Sequence, residues 1–173
     1  MLLKQMTTAD YLNSLAQLPV NKKGSKIAPH KAILLLSICD LVEQGIITDS
    51  FIPLDDNLSH AFNAHWKKYV PITSPFSRRL SYPFYHMSSS DFWHLVKAPS
   101  YTENKEYSSL ASLKRSFIGA TIDTELFELF NNPETRDMIR QILISTYLSG
   151  DHANINLNTL SVLPLIALIC SVA

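Results

Sequence analysis

Apolar residues near the start of the chain fall three and four apart. Tyr11, Leu12, Leu15 and Leu18 keep helical period behind Thr7, and Asp10 three residues on makes a capping-box-like start, so a first helix is expected from Thr7 to Leu18, stopped by Pro19. Residues 20–28 are basic and polar around Gly24 and predict a loop. From Pro29, which a first helical turn tolerates, Ile33, Leu34, Leu36, Ile38, Leu41 and Val42 nearly encircle a second helix that runs to Gly45, the mark of a central core helix. Asp55 and Asp56 cap a third helix carrying Leu58, Ala61, Phe62 and Trp66, and it ends on Lys67 and Lys68, where cations complement the terminus.

After the Pro71–Pro75 loop the pattern becomes aromatic. Residues 82–95 read as a hairpin: Pro83 at the start of a strand, Ser88 to Ser90 as the turn, Phe92 to Val96 as the return. Residues 98–107 are polar loop, and 108–117 suit a short helix presenting Lys114 and Arg115. Two closing helices follow over 123–131 and 133–148. The second carries a stripe of Met138, Ile139, Ile142, Leu143 and Tyr147 behind the cap pair Asn132–Pro133. The fold class expected is mainly α, a compact helical domain with a small antiparallel β-hairpin around residues 83–97.

Composition narrows the class. With 173 residues, 46% hydrophobic and 17% charged, the chain is long and apolar enough for one folded domain and lies outside the disordered regime. Cys39 and Cys170 are far apart and outside any C-x-x-C pair, so neither a disulfide framework nor a four-ligand zinc site is indicated. The N-terminus lacks the apolar region of a secretory signal, and a cytoplasmic location is expected. Residues 160–173 are almost wholly apolar, but they contain Pro164 and fall short of the roughly twenty residues of a membrane helix. This tail is expected to pack on the domain or to be a truncated end.

The net charge of zero hides a segregation of sign. Lys22, Lys23, Lys26 and Lys31 occupy residues 11–39 with no acid, and Lys67, Lys68, Arg78 and Arg79 occupy 57–90 with no acid. Acids dominate 40–56 and the half from Asp91 onward. If the two basic segments meet in space, they form the positive face of a polyanion binder; otherwise they are solvated surface. His30 and Lys31 open the second helix beside free amides and the positive end of its dipole, which favours phosphate, although a histidine there also serves as a cap or packing residue.

Catalytic signatures are missing from the sequence. The four glycines are isolated, so no phosphate loop is present, and neither a G-x-S-x-G elbow nor an H-E-x-x-H pair occurs. His60, His65, His86 and His94 lack a recognisable metal-ligand spacing and suit hydrogen-bonded packing better. No catalytic residue, metal or cofactor is expected.

Taken in order, Ala28–Leu36 (Ala-Pro-His-Lys-Ala-Ile-Leu-Leu-Leu), the 61–66 stretch, Tyr-Pro-Phe-Tyr-His-Met from Tyr82 and Asp-Phe-Trp-His-Leu from Asp91 resemble the sulfur-binding domain of phosphorothioate-dependent HNH restriction endonucleases. The resemblance extends over residues 7–148. It implies a reader of double-stranded DNA in which sulfur replaces a non-bridging phosphate oxygen, within restriction-modification and bacterial defence. By motif, Tyr82 and Pro83 would line an apolar sulfur cavity with His86 near it, and His30 and Lys31 would contact the backbone. Lys26, Arg78 and Arg79 would add backbone contacts from the basic segments, and Lys114 and Arg115 would reach bases or backbone. Residues 1–150 would be the recognition domain and 151–173 the apolar tail. Members of that family continue into a nuclease, so a truncated or solitary reader without cutting activity and without a membrane partner is expected. The other reading left open is a protein-interaction scaffold whose aromatics are core. Oligomeric state and preferred DNA context are not encoded in any of these signals.

Overall fold

The computed structural model describes residues 6–101, 107 and 109–149. The apolar tail and much of the loop before Ser109 lie outside those residues.

Helix α1 (Thr8–Ala16) starts as its sequence dictates: the Thr7 hydroxyl accepts from the Asp10 amide, and the Asp10 carboxylate accepts from the Thr7 amide. The basic segment expected as loop folds into a minimal antiparallel ribbon, β1 (Lys22–Lys23) with β2 (Lys26–Ile27), around Gly24 at φ 62°.

Helix α2 (His30–Glu43) is the axis of the domain, with eleven of its fourteen residues buried and helices on several sides. It ends in a Schellman turn. Gly45 takes φ 69° while its amide bonds the Val42 carbonyl and the Ile46 amide bonds the Leu41 carbonyl. Strand β3 (Phe51–Pro53) leads to α3 (Asp56–Tyr69), capped by Asp55 through the Leu58 amide.

The chain then forms α4 (Ser81–His86) with a 3₁₀ turn at Met87–Ser89, β4 (Trp93–Lys97), α5 (Leu110–Ser116), β5 (Phe117–Ile122), α6 (Thr124–Asn131) and α7 (Pro133–Leu143), which closes in a π-helical turn at Ile144–Leu148. The mainly helical class is therefore as expected, with small antiparallel sheets of two and three strands.

The hairpin is not. Its first arm, 82–87, is helical, because Leu80, Phe84 and Met87 are buried at spacings of four and three on one helical face. Pro83 sits in the first turn of that helix, where its missing amide proton costs nothing. The second arm, β4, pairs with β5 instead, in the order β3-β5-β4, with Trp93 opposite Ile122 and Leu95 opposite Ala120. Trp93 is core, its ring edge-to-face with Phe84 at 5.2 Å.

Near the C-terminal end of α2, ion pairs lock α7 to the axis. Arg140 reaches Asp40 at 2.9 Å and Glu43 at 2.6 Å, and His65 on α3 bonds Asp40 at 2.7 Å. Burial opposes ionisation of Asp40, but the His65 and Arg140 hydrogen bonds outweigh it and hold the carboxyl below its ordinary range. His94 pairs elsewhere, with Asp123 at 3.3 Å. Among the described residues no group of three or more His, Cys, Asp or Glu could hold a metal, and no helix is long and apolar enough to cross a membrane.

Candidate nucleic-acid interface

The two basic segments meet. A cleft of about 760 Å³ is lined on one side by residues 19–23 and Ala28, on another by Phe76, Ser77 and Arg79, and on its floor by His30, Lys31, Tyr82, Pro83, His86 and Ser89. Three local structures make this convergence. The β1–β2 ribbon carries Lys22 and Lys23, the first turn of α2 carries His30 and Lys31, and α4 offers Tyr82 and His86 one helical turn apart.

Lys31 is the unusual group. The residue is buried, with a relative exposure of 7%, and among the described residues its ammonium donates to the Ser89 hydroxyl at 3.2 Å. Burial lowers its pKa from the ordinary lysine value, and among the described residues no carboxylate offsets that cost. Neither is the start of α2 capped by a side chain, since Pro29 occupies the cap position. A buried ammonium and an uncapped helix N-terminus in one floor both favour negative charge.

Beside this polar spot lies an apolar one. Tyr82 is 41% exposed and stacks on His86 at 6.0 Å, while Pro83 is buried against the core with its ring at the cleft. Arg79 holds the tyrosine: its guanidinium carbon is 5.3 Å from the ring centroid, and Nη1 donates to the hydroxyl at 3.2 Å. Burial, and next the neighbouring Lys31, lower the His86 pKa, so its ring is neutral at pH 7.

His30 is a strut. Its Nε2 donates to the Ser77 carbonyl at 2.8 Å, its ring packs 4.8 Å from Trp66, and burial lowers its pKa. Lys23 makes a parallel tie to the Pro75 carbonyl at 2.9 Å and lies over Phe76 at 5.4 Å. Together they fasten the 71–77 loop to the ribbon and to α2.

The sequence family described as ScoMcrA-like, DNA sulfur-binding domain, matches residues 8–161. The chain belongs to that family. Its fold is also similar to the solved sulfur binding domain of ScoMcrA complexed with phosphorothioated DNA, at a TM-score of 0.59 and 18% identity over 84% of this chain and 91% of that one. No curated protein matches significantly.

Within the family fold, six residues singled out from the sequence share the cleft: His30, Lys31, Arg79, Tyr82, Pro83 and His86. Lys26 and Arg78 are exposed but outside its lining, although Lys26 pairs in register with Lys23. Lys114 and Arg115 do not line it either; Lys114 is engaged with Asp56 at 3.1 Å, and the Arg115 carbonyl accepts from Ser100. Sequence reasoning did not single out Phe76, Ser77 and Ser89, which have no charge and no motif. It counted Lys22 and Lys23 in the basic segment without placing them at the site.

Proposed function

We propose that the cleft reads a phosphorothioate in double-stranded DNA, with the sulfur against Tyr82 and Pro83 and the neighbouring phosphate oxygens toward Lys31. The observation that carries this reading is the adjacency, in one cleft of a member of this family, of an apolar wall and a buried ammonium that meets no carboxylate among the described residues. Sulfur is larger and more polarizable than oxygen and a poorer hydrogen-bond acceptor. An oxygen pressed against the tyrosine and proline rings must shed hydration without compensation, and sulfur loses less. Discrimination therefore belongs to the rings and affinity to the cations Lys22, Lys23, Lys31 and Arg79, which neutralise phosphates and release counterions. His86 completes the cavity beside Tyr82, and His30 acts on the backbone indirectly, by holding the loop. Lys26 and Arg78 supply outer backbone contacts.

Residues 1–150 form the recognition unit in this reading, without catalysis of their own, acting in the cytoplasm in modification-dependent restriction of the HNH type. The test is a competition titration. A duplex with one Rp phosphorothioate should be retained at least tenfold better than the identical unmodified duplex, and equal affinities would sink the reading.

A further inference from the structure

Among the described residues, Ile72 stands out as fully exposed, at 105% of its reference area, whereas Ile46, Tyr82 and Ile118 each keep more than half of their surface covered. Its setting is firm. The Ser74 amide closes a turn onto the Pro71 carbonyl at 2.9 Å, which puts Ile72 at the second position of that turn. The Phe76 amide bonds the Ser74 hydroxyl at 3.2 Å, and the Lys23 and His30 ties fasten the carbonyls of Pro75 and Ser77. An aliphatic side chain is thus held in water at the tip of a pinned loop whose base is the cleft lip, in a stretch from 57 to 90 that carries four cations and no acid.

Apolar rings and cations in the cleft address only the backbone and carry no base information. The group on duplex DNA that matches a branched aliphatic side chain is the C5-methyl of thymine, displayed in the major groove. We propose that Ile72 is a sequence-reading contact: with a modified phosphate in the cleft, the tip of the 71–74 turn enters the major groove and Ile72 packs on a thymine methyl. The proposal rests on the phosphorothioate reading and gives that site a preference for flanking sequence.

The test uses the full chain and a panel of Rp-phosphorothioate duplexes in which thymine occupies each position of the footprint in turn, each compared with its uracil counterpart, which lacks only the methyl. Burial of one methyl corresponds to about a fourfold change in affinity. Wild type should lose about that factor on the thymine-to-uracil change at one or two positions. Ile72→Ser should lose nothing there, and Ile72→Val should keep the discrimination. Because Ile72 touches no core, the melting temperature and the sulfur-to-oxygen ratio of Ile72→Ser should equal those of wild type. If no position separates wild type from Ile72→Ser while the sulfur preference persists, the Ile72 contact is overturned and the sulfur reading stands; if wild type shows no sulfur preference, both fall.

Discussion

Arg79 lies over the Tyr82 ring at 5.3 Å and donates to its hydroxyl at 3.2 Å, so a cation fixes the orientation of the ring that forms the cleft wall. The ring and the hydroxyl then have separable roles. Tyr82→Phe keeps the wall and should retain the sulfur-to-oxygen ratio within about twofold, whereas Tyr82→Ala should reduce the ratio at least about tenfold. Both variants should stay within about 0.5 kcal/mol of wild-type stability, because the side chain is largely at the surface. Anisotropy titrations with paired duplexes and a urea melt check both statements.

Lys31 carries a desolvation cost that its hydrogen bond to the Ser89 hydroxyl offsets only in part, since its pKa stays lowered. Lys31→Met should leave the protein as stable or more stable, yet weaken both modified and unmodified duplexes and reduce the salt slope by about 0.9. The folded-state pKa is depressed, so between it and the ordinary lysine value the unfolded chain binds more protons and stability rises with pH. That alkaline gain should be present in wild type and missing from Lys31→Met in melts run from pH 8 upward.

His86 titrates in the opposite sense for binding and for stability. Its depressed pKa means that the unfolded chain binds more protons just below pH 6.5, so its contribution to stability is full above that value and is lost as pH falls. A phosphate in the cleft favours the charged ring, so DNA affinity should rise as pH drops from 7.5 to 5.5. His86→Gln should flatten the share of both trends that belongs to this ring; His30, also depressed by burial, adds a stability trend of the same sign.

Gly119 sits where three strands meet, opposite Pro53 and Val96. A Cβ there would lie 2.5 Å from the Ile52 carbonyl oxygen and 2.6 Å from the Phe51 ring. Gly119→Ala should therefore cost about 1–3 kcal/mol in a urea titration by forcing β3 off the sheet. Its sulfur preference, measured on the folded fraction, should be unchanged.

The helical frame was legible because its signals are local: the Thr7–Asp10 box, the Asp55 and Asn132 caps and the encircled apolar pattern of α2 all appear as read. The hairpin misled because aromatics at 82–95 satisfy strand preference as well as a helical face, and only packing of Leu80, Phe84 and Met87 decides between them. Strand β5 left no clear trace. Gly119 and Ala120 weaken its strand preference, and its partners lie twenty or more residues before it. Cations of the cleft were visible as runs free of acids. Ser77 and Ser89 were not, since a serine becomes part of a site only through the neighbour it meets.

Helix α2 puts Lys31 at the cleft and Asp40 and Glu43 about 14 to 18 Å away along its axis, where His65, Arg136 and Arg140 pair with them. On a chain of zero net charge, with that acidic end neutralised internally, the molecule carries its positive charge locally at the cleft rather than as an overall field. Its attraction to a DNA rod turns it as much as it draws it, and fades faster with distance than that of a basic protein. On the phosphorothioate reading proposed above, residence time is then set by the backbone position that fills the cleft rather than by net charge.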